Sequence, residues 1–196
     1  MKAFTKAYRL ISLSGAVLTA GAVTTGVSLP QRPDGPINPG VLLEVIATHT
    51  TPAHEDRFVY LRVFSDGTAE CQSSKPGDPE NKERGTIKKT LTKEEFSRIK
   101  SLVEEPELAD VGARYETRYA IVDSWTEWRI NIRRKRQVQN IEIMEFSPGL
   151  AKTMKHPYPQ ALVKLGCTLE KMRAYVSGEA SLLDSECRNV LDQKPD

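Results

Sequence analysis

The histidines are the residues of this chain best suited to bind a metal ion. There are three, His49, His54 and His156, and Glu55 and Asp56 directly follow the second. Zinc ligands usually recur at short characteristic spacings, such as two histidines on one face of a helix, and these residues show no such spacing. We therefore predict no metal site and no cofactor.

Nucleophile and phosphate-binding motifs would indicate other enzyme classes. Ser147 does not lie in a GxSxG turn, no cysteine lies in a CxxC pair, and neither GxxxxGK[ST] nor GxGxxG occurs. Carboxylates are numerous, but spacing alone cannot pair them as acid and base. We predict no catalytic residue, and a small hydrolase or metal-assisted enzyme that uses the histidines is the alternative.

A basic run and a tryptophan are the candidates for protein binding. The RRKR run at 133–136 lies between two predicted strands, where charge ordinarily keeps a hairpin tip in water. Trp125 alternates out of phase with Trp128, so Trp125 faces outward if Trp128 faces the core, unless a loop covers that face. Aromatic and arginine side chains dominate many protein interfaces. The candidate residues are Trp125, Arg129, Arg133, Arg134 and Arg136.

The three cysteines predict one disulfide. In a helix predicted at 160–177, each residue advances about 100° around the axis, so Cys167 lies opposite the apolar stripe of Leu162, Leu165, Leu169, Met172 and Val176. The tail at 181–191 has an apolar face that includes Cys187 and can cover Cys167. We predict a Cys167–Cys187 bridge with Cys71 as the free thiol. The alternatives are pairing of Cys71 with either partner, or three reduced thiols.

The segment 91–108, LTKEEFSRIKSLVEEPEL, predicts an amphipathic helix. Thr92 and Glu95 have the spacing of a capping box, and Pro106 ends the helix. Its apolar residues recur at helical spacing: Phe96, Ile99, Leu102 and Val103. A helix with one apolar stripe covers a surface, and the alternating segments on both sides indicate that this surface is a sheet.

Apolar and alternating runs predict the strands, with a hairpin turn at Asp66 and Gly67. The predicted strands are 41–49, 58–64, 68–72, 124–132 and 138–146, with a brief further one in GTIKKTL. Together the elements predict an α+β fold: an antiparallel sheet of about five strands, two helices packed on one face, and a short C-terminal helix.

The first 28 residues have the pattern of a signal peptide. A basic start, MKAFTKAYR, precedes an uncharged stretch, and Ala20 and Ala22 resemble a cleavage site. We predict export to the periplasm or the extracellular medium. An uncleaved membrane anchor is the alternative, because no charge occurs between Leu10 and Gln31 and that length can span a bilayer.

Length and charge bound the rest of the chain. We predict a Pro-rich linker at 29–40 and a single domain with a helical tail at 41–192, since 196 residues can bury one sizeable core. Removing the three basic residues of the signal from the 28 in the chain leaves 25 against 26 acidic ones, a net charge of −1. We therefore expect no nucleic-acid partner, and membrane contact only through an uncleaved N-terminal segment.

The order of elements supports a resemblance over residues 41–178. The DG hairpin, the LTKEEFSRIKSLVEE helix, the WTEW strand pair and the closing helix resemble small exported bacterial proteins of unassigned function. This layout is also similar to that of the emfourin-type inhibitors of thermolysin-like metalloproteases, which implies a non-catalytic protein that binds a protease. We predict an exported binding module with a protein partner. An enzyme and an envelope structural protein are the alternatives.

Overall fold

The computed structural model describes residues 38–73, 84–116, 123–135, 137–151, 157–179 and 185–192. The predicted signal peptide, nearly all of the predicted linker, Arg136 and His156 lie outside these ranges.

The sheet forms because apolar side chains recur at alternate positions of the strands, so that one face can be buried. The described residues form seven strands: β1 (Val41–Thr50), β2 (Glu55–Phe64), β3 (Thr68–Gln72), β4 (Thr86–Thr90), β5 (Arg114–Glu116), β6 (Trp125–Arg134) and β7 (Gln137–Met144). They make one sheet in the order β4-β3-β2-β1-β6-β7-β5. Neighbouring strands are antiparallel except β5 and β7, which are parallel. The α+β class is therefore confirmed.

The predicted count of about five strands is wrong, because the sheet ends in short strands at both edges. β4, of five residues, is the brief strand predicted in GTIKKTL, whereas no strand is predicted at β5, which has three residues. So few positions show little alternation, which is the signal that identifies longer strands. The parallel pairing of β5 with β7 also joins segments that no hairpin connects.

The helical arrangement also differs from the prediction. The described residues form five helices: α1 (Lys93–Glu104), α2 (Pro106–Ala109), α3 (Pro148–Ala151), α4 (Gln160–Ser177) and α5 (Ser185–Asp192). As predicted, the amphipathic helix α1 ends before Pro106, because Glu105 is extended with φ −57° and ψ 130°. The residues that follow form the short helix α2. A residue that precedes proline disfavours the helical conformation. None of the helices in the described ranges is both long and apolar enough to span a membrane.

The sequence predicted two helices packed side by side on one face of the sheet, but α4 instead occupies a central position. It contacts β2, β3 and β4 on one side, and it also contacts α1, α2 and α5. Residues outside its predicted stripe are therefore buried as well: Ala161, Val163, Gly166, Thr168 and Arg173. A single buried cluster contains the apolar side chains of α1, α4 and the strands.

Local signals set the helix ends. Thr92 Oγ1 accepts a hydrogen bond from the Glu95 backbone N–H at 3.2 Å, and the Thr92 backbone N–H donates to Glu95 Oε2 at 2.9 Å. The predicted capping box is thus present. Gly178 ends α4 in the left-handed region at φ 73°, a conformation that glycine adopts without steric cost.

An aromatic stack lies between the sheet and α4. The Trp128 ring centroid is 4.7 Å from that of Tyr60 and 5.1 Å from that of Phe146, and the Phe146 centroid is 5.9 Å from that of Tyr158. A Cβ at Gly166 would overlap the Phe146 ring. Glycine is therefore required where α4 crosses the stack.

A buried arginine from α4 closes a gap in the sheet. β2 and β3 pair through Arg62 with Glu70 and through Val63 with Ala69, and the ladder stops there. Beyond this point Arg173, which is 6% exposed, donates hydrogen bonds to the carbonyl oxygens of Tyr60 at 2.5 Å and Gln72 at 3.1 Å. Its guanidinium carbon lies 4.4 Å from the Tyr60 ring centroid. Arg173 thus satisfies carbonyls that would otherwise be left without ladder partners.

The predicted disulfide is confirmed. Cys167 in α4 is bonded to Cys187 in α5, with their Cα atoms 5.1 Å apart. Cys187 is buried, and Val190 and Leu191 of α5 pack against the core. Cys71 is a buried free thiol in β3, and burial raises the pKa of that thiol. The short tail helix is therefore attached covalently to the central helix.

We expect the Cys167→Ser, Cys187→Ser double variant to lose about 3 kcal/mol of unfolding free energy, because the bridge closes a loop of 20 residues. Urea denaturation with and without reductant measures this loss. Reductant should lower the stability of the natural protein to that of the variant and leave the variant unchanged. Equal stability of the two oxidised proteins would contradict the prediction.

We expect Arg173→Met to lower the unfolding free energy by about 3 kcal/mol, because two buried carbonyls lose a charged donor. Lys171→Met is the control on the exposed side of the same helix and should change it by less than about 0.5 kcal/mol. Chemical denaturation of both variants compares them. An Arg173→Met protein as stable as the control would show that the guanidinium is dispensable.

Candidate functional site

The strand face opposite the core carries a row of charges. Each of β1 to β4 contributes one residue whose position is out of phase with the buried side chains: Glu44, Arg62, Glu70 and Lys88. The strand register places these residues directly opposite one another. We call them the charge row, and their signs alternate across the four strands.

The charge row is connected by ion pairs. Arg62 donates to Glu44 Oε1 from Nε at 2.8 Å and from Nη2 at 2.5 Å, and to Glu70 Oε1 from Nη1 at 2.5 Å. Lys88 Nζ lies 3.0 Å from Glu70 Oε2. The side chains of Arg62, Glu44 and Glu70 are 27%, 15% and 9% exposed, whereas that of Lys88 is 69% exposed. The row is therefore ordered in its centre and open at its Lys88 end.

The pKa directions follow from this pairing. Burial alone would raise the pKa of Glu70, but hydrogen bonds from Lys88 and Arg62 outweigh it, and the pKa of this carboxyl is lowered. Burial alone would likewise lower the pKa of Arg62, but Glu44 and Glu70 raise it. Both directions stabilise the charged forms of the row.

A second set of ion pairs lies on β5, β6 and β7. Arg129 Nη2 donates to Glu142 Oε1 at 2.9 Å, and Arg114 Nη1 lies 3.9 Å from Glu142 Oε2. Arg129 and Arg114 both lie directly opposite Glu142 in the register. We call the face that carries the charge row and these pairs the polar face.

A small hollow adjoins this second set. It is lined by Arg114, Tyr115, Glu127, Glu142 and Met144, and it has no room for even a water-sized sphere. Sites for small organic ligands usually measure about 300 to 1,000 Å³. The hollow is therefore a shallow depression and too small to hold a small-molecule substrate.

Trp125 lies at the start of β6, four residues before Arg129. Trp128 is 5% exposed in the core, and strand alternation places Trp125 on the same face as Arg129. Trp125 is half-buried. Two of the predicted binding candidates, Trp125 and Arg129, thus share the polar face.

The predicted basic tip lies at the other end of β6. Trp125 and Arg133 are eight residues apart in this strand, or about 26 Å. Arg133 donates to the carbonyl oxygens of Val41 at 3.0 Å and Asn38 at 3.1 Å. Its guanidinium therefore fastens the start of β1 to β6.

Arg134 has a similar structural contact. Its Nε donates to Gln139 Oε1 at 2.8 Å, and Gln139 Nε2 donates to the Leu108 carbonyl oxygen at 2.8 Å. Burial lowers the pKa of Arg134. The four described binding candidates therefore do not form one patch, and Arg136 lies outside the described residues.

The two described histidines have local contacts. His49 Nδ1 lies 3.2 Å from Thr126 Oγ1, and the His54 backbone exchanges hydrogen bonds with Thr51 in a turn. Within the described ranges, no group of three or more His, Cys, Asp or Glu residues is arranged to hold a metal ion.

Sequence reasoning missed the charge row. A signal for it exists, because the apolar runs VLLEVIA in β1 and FVYLRVF in β2 each contain one charge, Glu44 and Arg62, and the two charges have opposite signs. What the sequence does not contain is the register that places them opposite each other.

The comparisons with known proteins are negative: the chain matches no known protein family, and no curated protein is significantly similar to it in sequence. Its function must be argued from the geometry of the polar face.

We expect Glu70→Gln to reduce the unfolding free energy at pH 7 by about 1 to 2 kcal/mol, because charge-assisted bonds to Arg62 and Lys88 are lost. Since folding lowers the pKa of Glu70, its contribution is present above the unfolded pKa and is lost as the pH falls through the folded pKa. The stability difference should therefore shrink in acid.

Urea denaturation of both proteins between pH 3 and pH 7 measures this difference. Glu104→Gln, on the exposed side of α1, is the control and should remain close to the natural protein throughout. A difference for Glu70→Gln that does not change with pH would contradict the assigned linkage.

Proposed function

We propose that this chain is a non-catalytic binding module exported from a bacterial cell, and that another protein docks on its polar face. The observation that carries this proposal is the array of ion-paired side chains on one face of the sheet, a face that also carries Trp125 at the start of β6. A protein interface combines such polar groups with an aromatic or arginine anchor.

The fixed conformations of the charged side chains support protein recognition. Arg62 and Arg129 are held by carboxylates of neighbouring strands, and the Arg129 side chain is 19% exposed. Side chains that are already fixed lose little conformational entropy when a partner binds. Their fixed charges also select a partner of complementary pattern.

The sign of the charges supports a protein rather than a nucleic acid. Arginine and lysine alternate with glutamate along the charge row, and Glu142 lies between Arg129 and Arg114. A phosphate backbone is recognised by a patch of one sign. A mixed pattern matches the mixed charges of a protein surface.

A protease is one candidate partner, and inhibition of a thermolysin-like metalloprotease is the finer form of this proposal. It rests on the order of elements in the sequence. A direct inhibition assay with thermolysin tests it, and full protease activity at a large excess of this protein would remove the inhibitor form while leaving the binding module intact.

We expect the full chain, recovered from the exported fraction of its own host, to form a complex of fixed stoichiometry with a second protein. Trp125→Ala should weaken that complex about tenfold or more, because an aromatic side chain that a partner covers contributes strongly to an interface. Size-exclusion chromatography followed by titration of the purified partner measures both.

Lys171→Ala, on the exposed side of α4, is the matched control and should bind as the natural protein does. Thermal melting shows whether each variant is folded. Binding by Trp125→Ala with unchanged affinity would exclude the Trp125 end of the polar face. Metal retained through dialysis and lost in His49→Ala and His54→Ala would favour the enzyme alternative.

A further inference from the structure

Strand β4 is an edge of the sheet with free backbone groups. Among the described strands it pairs with β3 only, and all of its residues except Ile87 are exposed. The hydrogen bonds from Leu91 N–H to Gly67 O and from Ser73 N–H to Gly85 O fix which residues face β3.

Along an antiparallel strand, the N–H and C=O groups of successive residues point alternately to one neighbouring strand and to the other side. Since Gly85 and Leu91 bond to β3, Ile87 and Lys89 do so as well. The N–H and C=O groups of Thr86, Lys88 and Thr90 therefore point away from the sheet. No hydrogen bond within the described residues uses these outward groups.

The charge row ends at this edge. Glu44, Arg62, Glu70 and Lys88 alternate in sign, and Lys88 is the last and most exposed member. A strand added outside β4 would place one residue directly opposite Lys88, about 5 Å away. The alternation selects a carboxylate for that position.

The same lysine disfavours a second copy of this chain. If two β4 strands paired antiparallel in full overlap, Lys88 would lie opposite Lys88 of the other copy, and like charges directly opposite each other are destabilising. Edge lysines are a common protection against unselective pairing. An acidic partner strand turns this repulsion into attraction, which is a route to specificity.

We propose that the outer edge of β4 binds an extended segment of a partner protein as an added strand, with an acidic residue opposite Lys88. The partner residues on either side of this acidic residue would lie opposite Ile87 and Lys89. Ile87 packs against the core, and Lys89 Nζ lies 3.5 Å from the Tyr175 ring centroid. These neighbours favour apolar side chains in the partner. The inference rests on the proposed binding function and names the chemistry of one partner segment.

The test uses the full chain and two blocked synthetic peptides, Ser-Thr-Val-Glu-Val-Thr-Ser and the same peptide with Lys in place of Glu. Amide shifts in nitrogen–proton NMR spectra are followed during titration to millimolar peptide. We expect the Glu peptide to shift β4 amides and to bind about threefold or more tightly than the Lys peptide. Lys88→Glu should reverse that preference.

Thr90→Pro removes an outward N–H while it leaves the bonds to β3, so it should abolish binding in a protein that still melts cooperatively. Lys100→Glu, an equal charge change on α1, should bind both peptides as the natural protein does. If Thr90→Pro does not fold, the binding of the two peptides to the Lys88→Glu variant is sufficient, because that variant should prefer the Lys peptide to the Glu peptide.

Several results would overturn the inference: no β4 shifts at millimolar peptide, equal affinity for the two peptides, or a preference that Lys88→Glu leaves in place. A partner protein that binds the Thr90→Pro and Lys88→Glu variants normally but loses affinity for Trp125→Ala would overturn the edge inference and retain the proposed function. Self-association of the natural protein through β4 would also overturn it, because the edge would then be occupied by a second copy.

Discussion

The fold depends on a buried guanidinium that joins its central helix to its sheet. Where the β2–β3 ladder ends, Arg173 of α4 supplies hydrogen bonds to Tyr60 and Gln72 and stacks on the Tyr60 ring. Burial and the nearby Glu170 raise the pKa of the Tyr60 hydroxyl, which therefore stays neutral beside this cation. A buried charge is tolerated only when it is paired or fully hydrogen-bonded, so the contact restricts how α4 can lie on the strands. Helices α1, α2 and α5 then pack against α4.

The two faces of the sheet differ in composition and in what covers them. The apolar face is buried under α4 and α1, while the opposite face holds glutamate and arginine side chains in ion pairs between strands. Cross-strand pairs of opposite charge contribute modestly to stability, so their value for the sheet alone is small. Their fixed geometry makes the polar face and its β4 edge the parts of the chain best arranged for recognition. The Cys167–Cys187 bridge lies between helices α4 and α5 and leaves those strand surfaces unobstructed.

The sequence by itself determined the helix ends and the turn, because the residues that form each of them lie within a few positions of one another. The capping box of Thr92 and Glu95 begins α1, Gly178 ends α4, and Asp66 with Gly67 turns β2 into β3. Each depends on backbone preferences and hydrogen bonds within a few residues, which the amino-acid types express directly. The disulfide was also predictable, because helical periodicity places Cys167 off the stripe and the apolar tail needs a surface to cover.

The tertiary structure alone decided the features that join distant segments. The parallel pairing of β5 with β7, the central position of α4 and the contact of Arg173 with β2 and β3 connect residues far apart in the chain. The charge row arises in the same way: Glu44 and Arg62 each look like an isolated polar residue until the register of β1 and β2 places them opposite each other. Register depends on the packing of the whole sheet against its helices, and a single strand contains only the alternation that decides which face a side chain takes.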